Sequence, residues 1–184
     1  MILSDLASVQ SCCTINREYG MKSYDSSDIE IKCLMKNTIM DGRFSKDIYN
    51  SYFITKKYID AFNKGKLPVT KKNDILFKLS SPYDCIVINK SEEGYLIPNS
   101  FALIRCKSAR QTNKVIQYLT NEVMIRFLEK ESGNKGRITI STLKDMPVGK
   151  DVVHVLELFE QQQNLIDLQN ERILSKLRER EGIE

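Results

Sequence analysis

Asp151-Val-Val-His-Val-Leu-Glu-Leu-Phe-Glu-Gln-Gln-Gln-Asn-Leu-Ile-Asp-Leu-Gln-Asn-Glu-Arg-Ile-Leu-Ser-Lys-Leu-Arg178 continues to Glu181 without a glycine or proline. Val152, Phe159, Ile166 and Ile173 are spaced seven apart, and Leu156, Gln163, Asn170 and Leu177 follow each by four. On a helix these two columns lie side by side on one face. An apolar repeat of seven sustained over about three heptads predicts a coiled-coil seam. Gln163 and Asn170 would weaken such a seam while fixing its register and partner number. A long amphipathic helix packed on its own domain explains the same pattern.

Upstream of the helix the periodicity changes to that of strands. Asp28 to Asn37 alternates and then turns apolar, Asn73 to Leu79 alternates, and Asp84 to Asn89 is a continuous apolar run. Tyr52-Phe53-Ile54, Tyr95-Leu96-Ile97, Phe101 to Cys106 and Arg137 to Ser141 add further short strands, with turns at Asp41-Gly42 and Glu93-Gly94. Closely spaced strands of this kind predict a mixed or antiparallel, curled sheet. Ile2, Leu6 and Val9 predict a helical turn, followed by a strand through Thr14-Ile15, and Lys56 to Asn63 predicts another turn. Ala109 to Glu131 reads as one helix on the face of Ile116, Leu119, Val123 and Phe127, with Gly133 suited to a left-handed cap. Leu143 to Val148 reads as a connector. The fold class is therefore α+β, with a domain over 1–148 and a long helix over 149–184.

Charge divides along the same boundary. The chain has 184 residues and a net charge of +4. Residues 1–150 hold 24 Lys and Arg against 16 Asp and Glu, whereas 151–184 hold 4 against 8. A basic body suits a polyanion, and an acidic helix suits a protein partner or a solvated face. Lys56 to Lys78 is the most basic window, with Lys64, Lys66, Lys71 and Lys72 around a turn at Gly65 and Pro68. No apolar run is long enough to span a bilayer, and the N-terminus lacks a signal-peptide pattern, so a cytoplasmic protein is expected. Five cysteines in odd number, without a Cys-x-x-Cys pair and with one histidine, argue against a zinc site and for reduced thiols.

Catalytic motifs are missing. No nucleophile elbow, phosphate-binding loop or dinucleotide fingerprint occurs, and the lone His154 lies on the predicted seam helix. Glu30-Ile31-Lys32 matches the Glu-x-Lys half of a metal-dependent nuclease core, in which carboxylates and a lysine hold Mg²⁺ and activate water. The partner aspartate has no suitable position: Asp25 and Asp28 are too close, and Asp5 falls in the first predicted helix. A solvent-facing Glu-x-Lys is the simpler reading.

Several segments, in order, resemble the DNA-specificity subunit of type I restriction–modification systems. Leu3-Ser4-Asp5-Leu6-Ala7-Ser8-Val9-Gln10 is similar to the start of that family's target-recognition domain. Lys72-Asn73-Asp74-Ile75-Leu76-Phe77 is similar to its Lys-Gly-Asp-Ile-Leu strand, with Asn73 in place of Gly. Ile97 to Arg105 is similar to its next core strand, and Tyr118-Leu119 falls in its following helix. Ser132-Gly133 to Ile140 and Leu143 to Val148 are similar to the lead into its long helix. The family's proline-rich step and Glu-Gln pair at that helix start are replaced by Gly149-Lys150-Asp151, with Glu160-Gln161 further in.

The resemblance implies a half-length subunit with one target-recognition domain and no catalytic site, metal or cofactor of its own. S-adenosylmethionine would belong to a partner methyltransferase subunit. Implied partners are double-stranded DNA, that methyltransferase, the restriction subunit, and a second copy of this chain joined through the C-terminal helix to read a split palindromic site. Lys64, Lys66, Lys71 and Lys72 are the candidate phosphate contacts. Lys78, Tyr83, Asn134, Lys135 and Arg137, in or beside loops, are the candidate base contacts. A coiled-coil scaffold that binds no DNA is the alternative, with a standalone metal-dependent nuclease third.

Overall fold

A computed structural model describes residues 1–12, 29–54, 64, 67–133 and 136–181. Contacts divide the chain into two units, Met1–Pro147 and Val148–Glu184. The first unit holds α1 (Leu3–Leu6), β1 (Ala7–Ser11), β2 (Ile29–Leu34), β3 (Ile39–Met40), β4 (Arg43–Phe44), β5 (Tyr49–Ile54), β6 (Ile75–Lys78), β7 (Cys85–Val87) and β8 (Phe101–Cys106). It continues with α2 (Ala109–Leu119), α3 (Glu122–Ser132) and α4 (Ile140–Asp145), and the second unit is α5 (Lys150–Glu181).

The architecture is α+β with antiparallel sheets and a long C-terminal helix. Among the described residues the strands form three sheets, where one curled sheet was expected: a four-stranded sheet in the order β1-β8-β6-β7, the pair β2-β5, and the hairpin β3-β4. The described ladders are antiparallel, with Val9 opposite Ile104, Ile104 opposite Ile75, and Ile75 opposite Val87. The two central strands are buried on both faces, from Ile75, Leu76 and Phe77 to Phe101 through Ile104. The strand expected over Asn73 to Leu79 is therefore present, but its burial does not alternate as its pattern predicts. One core cluster joins Leu34, Ile39, Leu76, Ile88, Ile97, Phe101 and Leu103, and a second packs Ile31, Cys33, Ile54 and Leu96 beneath β2 and β5.

The predicted N-terminal helix is a single turn. Ile2 N–H donates to Asp5 Oδ2 at 2.9 Å, and from Ala7 the chain pairs with β8, which takes Val9 into the sheet. Thr14-Ile15 and 56–63 lie outside the described residues. Tyr95-Leu96-Ile97 makes isolated bridges through Leu96 to Cys33 and Val69, without forming a strand. The predicted helix over 109–131 is two. Asn121 Oδ1 accepts from Val123 N–H at 2.9 Å, which caps a new helix where the apolar period alone gives no break. Gly133 has φ 50 and ψ −148, a glycine conformation but not the left-handed helical cap. Arg137 makes one bridge to Ser80, and the chain then enters α4, where Thr139 Oγ1 accepts from Thr142 N–H at 3.1 Å. The two ends of this unit meet: Leu3 N–H donates to Met146 O at 2.9 Å, and Ile2 bridges Pro147.

The C-terminal unit is a single 32-residue helix. At about 1.5 Å per residue it is roughly 48 Å long. Leu158, Leu165, Ile166, Leu168, Ile173, Leu174 and Leu177 are exposed by 46% to 60%.

Candidate nucleic-acid interface

The basic turn ahead of β6 is closed by a network of hydrogen bonds. Lys71 N–H donates to Asp74 Oδ2 at 2.9 Å, and Asp74 N–H returns to Lys71 O at 3.0 Å. Between them Asn73 adopts φ 68, a backbone region that glycine prefers and asparagine tolerates. Asn73 N–H donates to Ile88 O at 2.9 Å, and Lys72 N–H to Glu93 Oε1 at 2.7 Å. Asp74, only 4% exposed, is held from the other side by Arg105, whose Nε and Nη2 reach its two oxygens at 2.9 and 3.0 Å. Arg105 Nη2 also donates to Val69 O at 3.1 Å. Thr70 completes the seat, taking Tyr95 N–H and donating to Glu92 O at 2.7 Å. The side chains of Lys71 and Lys72 stay exposed on this turn; Lys64, upstream of it, is exposed as well, and Lys66 lies outside the described residues. The exposed Glu93 beside Lys72 tempers the local positive field.

Two expected base contacts are interior instead. Lys78 is 6% exposed, with its Nζ 3.9 Å from Asp84 Oδ2, because β6 still pairs with β8 at this residue and Lys78 N–H donates to Asp84 O. Tyr83 is 3% exposed and stacks on Phe77, ring centroids 6.2 Å apart. Both side chains are buried where a loop surface was expected. Among the described residues, the buried hydroxyls of Tyr83 and Ser80 have no hydrogen-bond partner. Arg137 is exposed, donates from Nη2 to Asn99 O at 2.9 Å, and borders a cleft of about 480 Å³ lined by Ser11, Leu79, Phe101 and Ile138. Asn134 and Lys135 lie outside the described residues.

The hairpin β3-β4 presents a polar face that the strand pattern did not single out. Met40, Arg43, Lys36, Asn37 and Lys46 are all exposed there. The one advance signal was Asp41-Gly42, which forms the turn with φ 51 and φ 67. A second cleft of about 400 Å³ lies beside it, walled by Met35, Met40 and Pro82 with Lys78 and Asp84 among its lining.

Among the described residues no group of three His, Cys, Asp or Glu side chains could hold a metal ion. Glu30 and Lys32 are both exposed on β2, and Lys32 Nζ sits 4.4 Å from the centre of the Tyr49 ring. His154 is exposed, its Nδ1 3.9 Å from Glu157 Oε2 on the same helix. Burial pushes the Cys85 thiol up to about 12, helped by the neighbouring Asp84 carboxylate. No described helix is long and apolar enough to cross a membrane.

The predicted seam residues all fall on α5. Val152 and Leu156 are half-buried, and Gln163, Ile166, Asn170, Ile173 and Leu177 are exposed. Phe159 keeps its place in the backbone of the same helix. Gln163 Nε2 donates to Asp167 Oδ1 at 3.1 Å along the helix.

No family model and no curated protein matches this chain. Among solved structures, it is similar to a chain of the type I R-M system, from work on that system's complex assembly and conformational transition. That match has a TM-score of 0.48 and 14% identity over 97% of this chain and 42% of the other. It is also similar to the HsdS subunit from Thermoanaerobacter tengcongensis, with a TM-score of 0.46 and 13% identity over 92% of this chain and 38% of that one. The chain thus spans about two fifths of the length of each of these solved chains.

Proposed function

We propose that this chain is the sequence-specific DNA-recognition subunit of a type I restriction–modification system, reading one half of a split site. The observation that carries the reading is Asn73. It stands where the resembling family has glycine, and its φ of 68 is the conformation glycine supplies without strain. The likeness of Lys72 to Phe77 is therefore a likeness of backbone requirement as well as of letters. The next similar segment supplies Arg105, the partner of Asp74.

In this role the protein makes and breaks no bonds. Lys64, Lys71 and Lys72 neutralise phosphates and release counterions, and Arg137 reads a base edge. The 1–148 domain recognises DNA, and the 149–184 helix pairs with the same helix of a second copy through its apolar columns. Gln163 and Asn170 set the register of that pair. The acidic outer face of the helix receives a methyltransferase subunit, which brings S-adenosylmethionine, and the restriction subunit joins that assembly in the cytoplasm. Selection from a random duplex pool tests the division of labour. Lys71→Ala weakens all sequences alike, and Arg137→Ala relaxes preference at one position. Uniform loss for both variants would reject it.

A further inference from the structure

Met40 stands apart in the first unit: besides Met1, it is the one large apolar side chain there that is exposed among the described residues, at 52%. It does not sit on a loose loop. Ile39 and Thr38, on either side of the strand start, are fully buried. Thr38 Oγ1 donates to Ile48 O at 2.7 Å and accepts from Met35 N–H at 2.8 Å, and Ser45 N–H donates to Thr38 O at 2.9 Å. Phe44 packs edge-on against Tyr95 at 5.4 Å. The hairpin is thus fastened by one face and offers the other. On the offered face Met40 is paired across the ladder with Arg43.

We infer that the β3-β4 hairpin is a base-reading ribbon of this protein, inserted into the major groove of duplex DNA, with Met40 meeting a thymine methyl group. This rests on the DNA-recognition reading above. The occupant is argued from chemistry. A two-stranded ribbon is narrow enough to enter the major groove, and the groove is where the thymine methyl and the purine acceptor edges are displayed. Arg43, beside Met40, has the fork that matches guanine, and Asn37 has the amide that matches adenine. Lys36 and Lys46 lie at the base of the ribbon, where the phosphate walls of the groove would pass; Lys46 Nζ is 3.0 Å from Ser91 Oγ. Two carboxylates, Asp41 at the tip and Asp47 beyond β4, oppose the phosphates, so binding by charge alone is weak here and readout is the better-suited role. Behind Met40 the 400 Å³ cleft has Met35 and Pro82 on its walls, so a methyl group arriving there meets apolar surface.

The test uses the full chain and a random duplex pool made once with thymine and once with uracil, which lacks only the methyl group. Wild type, Met40→Ala, Arg43→Ala, Arg43→Lys and Lys71→Ala are compared, with a thermal melt of each as a fold check. Wild type is expected to bind its selected thymine duplex about fourfold more tightly than the uracil form, the value of one buried methyl group. Met40→Ala should bind both forms alike. Arg43→Lys should keep overall affinity and lose one position of the preference, because a point charge cannot replace a bidentate fork. If wild type selects a sequence but Met40→Ala and both Arg43 variants select the same one with the same thymine advantage, the hairpin inference is overturned while DNA recognition stands. If wild type binds no duplex DNA at low salt, the underlying reading fails and takes the hairpin with it.

Discussion

Replacing Asp74 by alanine tests the clamp on which the basic turn depends. Asp74 accepts three hydrogen bonds, two from Arg105 at 2.9 and 3.0 Å and one from Lys71 N–H at 2.9 Å. Hydrogen bonds to a charged group contribute about 1.5–3 kcal/mol each. The three are not independent, and the Arg105 side chain is 32% exposed, so water recovers part of the loss on that side. It also keeps its bond to Val69 O. A net cost of about 2–4 kcal/mol is expected, below the roughly 3–5 kcal/mol of a fully buried broken pair. Urea unfolding of wild type, Asp74→Ala, Arg105→Ala and the double variant gives the coupling directly. A coupling of about 1 kcal/mol or more supports the clamp. A cost under about 0.5 kcal/mol for Asp74→Ala, or losses that simply add, would refute it. DNA affinity should fall in Asp74→Ala as well, because Lys71 and Lys72 lose their fixed seat.

Further outcomes follow from single observations. Asn73→Gly should be neutral or slightly stabilising, whereas Asn73→Val should cost about 1–2 kcal/mol at φ 68, both read by the same urea titration. Cys85 should resist alkylation at pH 8 in the folded chain. Its folded thiol is pushed up to about 12, so its contribution is intact below the ordinary thiol range and is lost as pH rises from there toward 12; thermal melts across that window should show the decline, and Cys85→Ala should flatten it. Ile166→Glu with Ile173→Glu should abolish self-association in sedimentation without lowering the melting of the first unit, and Gln163→Leu with Asn170→Leu should change association number or strength. An unchanged dimer in both pairs would show that these columns are not the seam.

Legibility in the sequence followed how local each determinant is. Strand β8 could be read because Phe101 to Ile104 is apolar throughout and buried on both faces, whereas β6 reads as an alternating strand although Ile75 to Phe77 are buried on both faces too. The helix Lys150–Glu181 could be read because nothing interrupts its period. Asn121 could not be read as a break: Leu119, Val123 and Phe127 keep helical spacing through it, and only the cap to Val123 N–H ends one helix and starts the next. Lys78 was misread because a lysine at the end of a strand is usually solvated, while here the tertiary pairing of β6 with β7 and β8 encloses it beside Asp84. Arg105 and Asp74 are 31 positions apart, so their partnership is a product of the sheet and invisible to spacing. The hairpin face around Met40 was missed because two-residue strands carry too little alternation to mark a face.

The most direct measurement is a titration of the full chain against duplex DNA across salt, first with a random pool and then with its selected sequence. Three phosphate contacts from Lys64, Lys71 and Lys72 give an expected slope of about −2.7 in log K against log salt, roughly a 40-fold loss between 50 and 200 mM for one domain. Binding that falls at least this steeply, with a shared sequence preference in the recovered DNA, is the predicted result. No duplex binding at low salt, or binding that ignores both salt and sequence, would contradict the account.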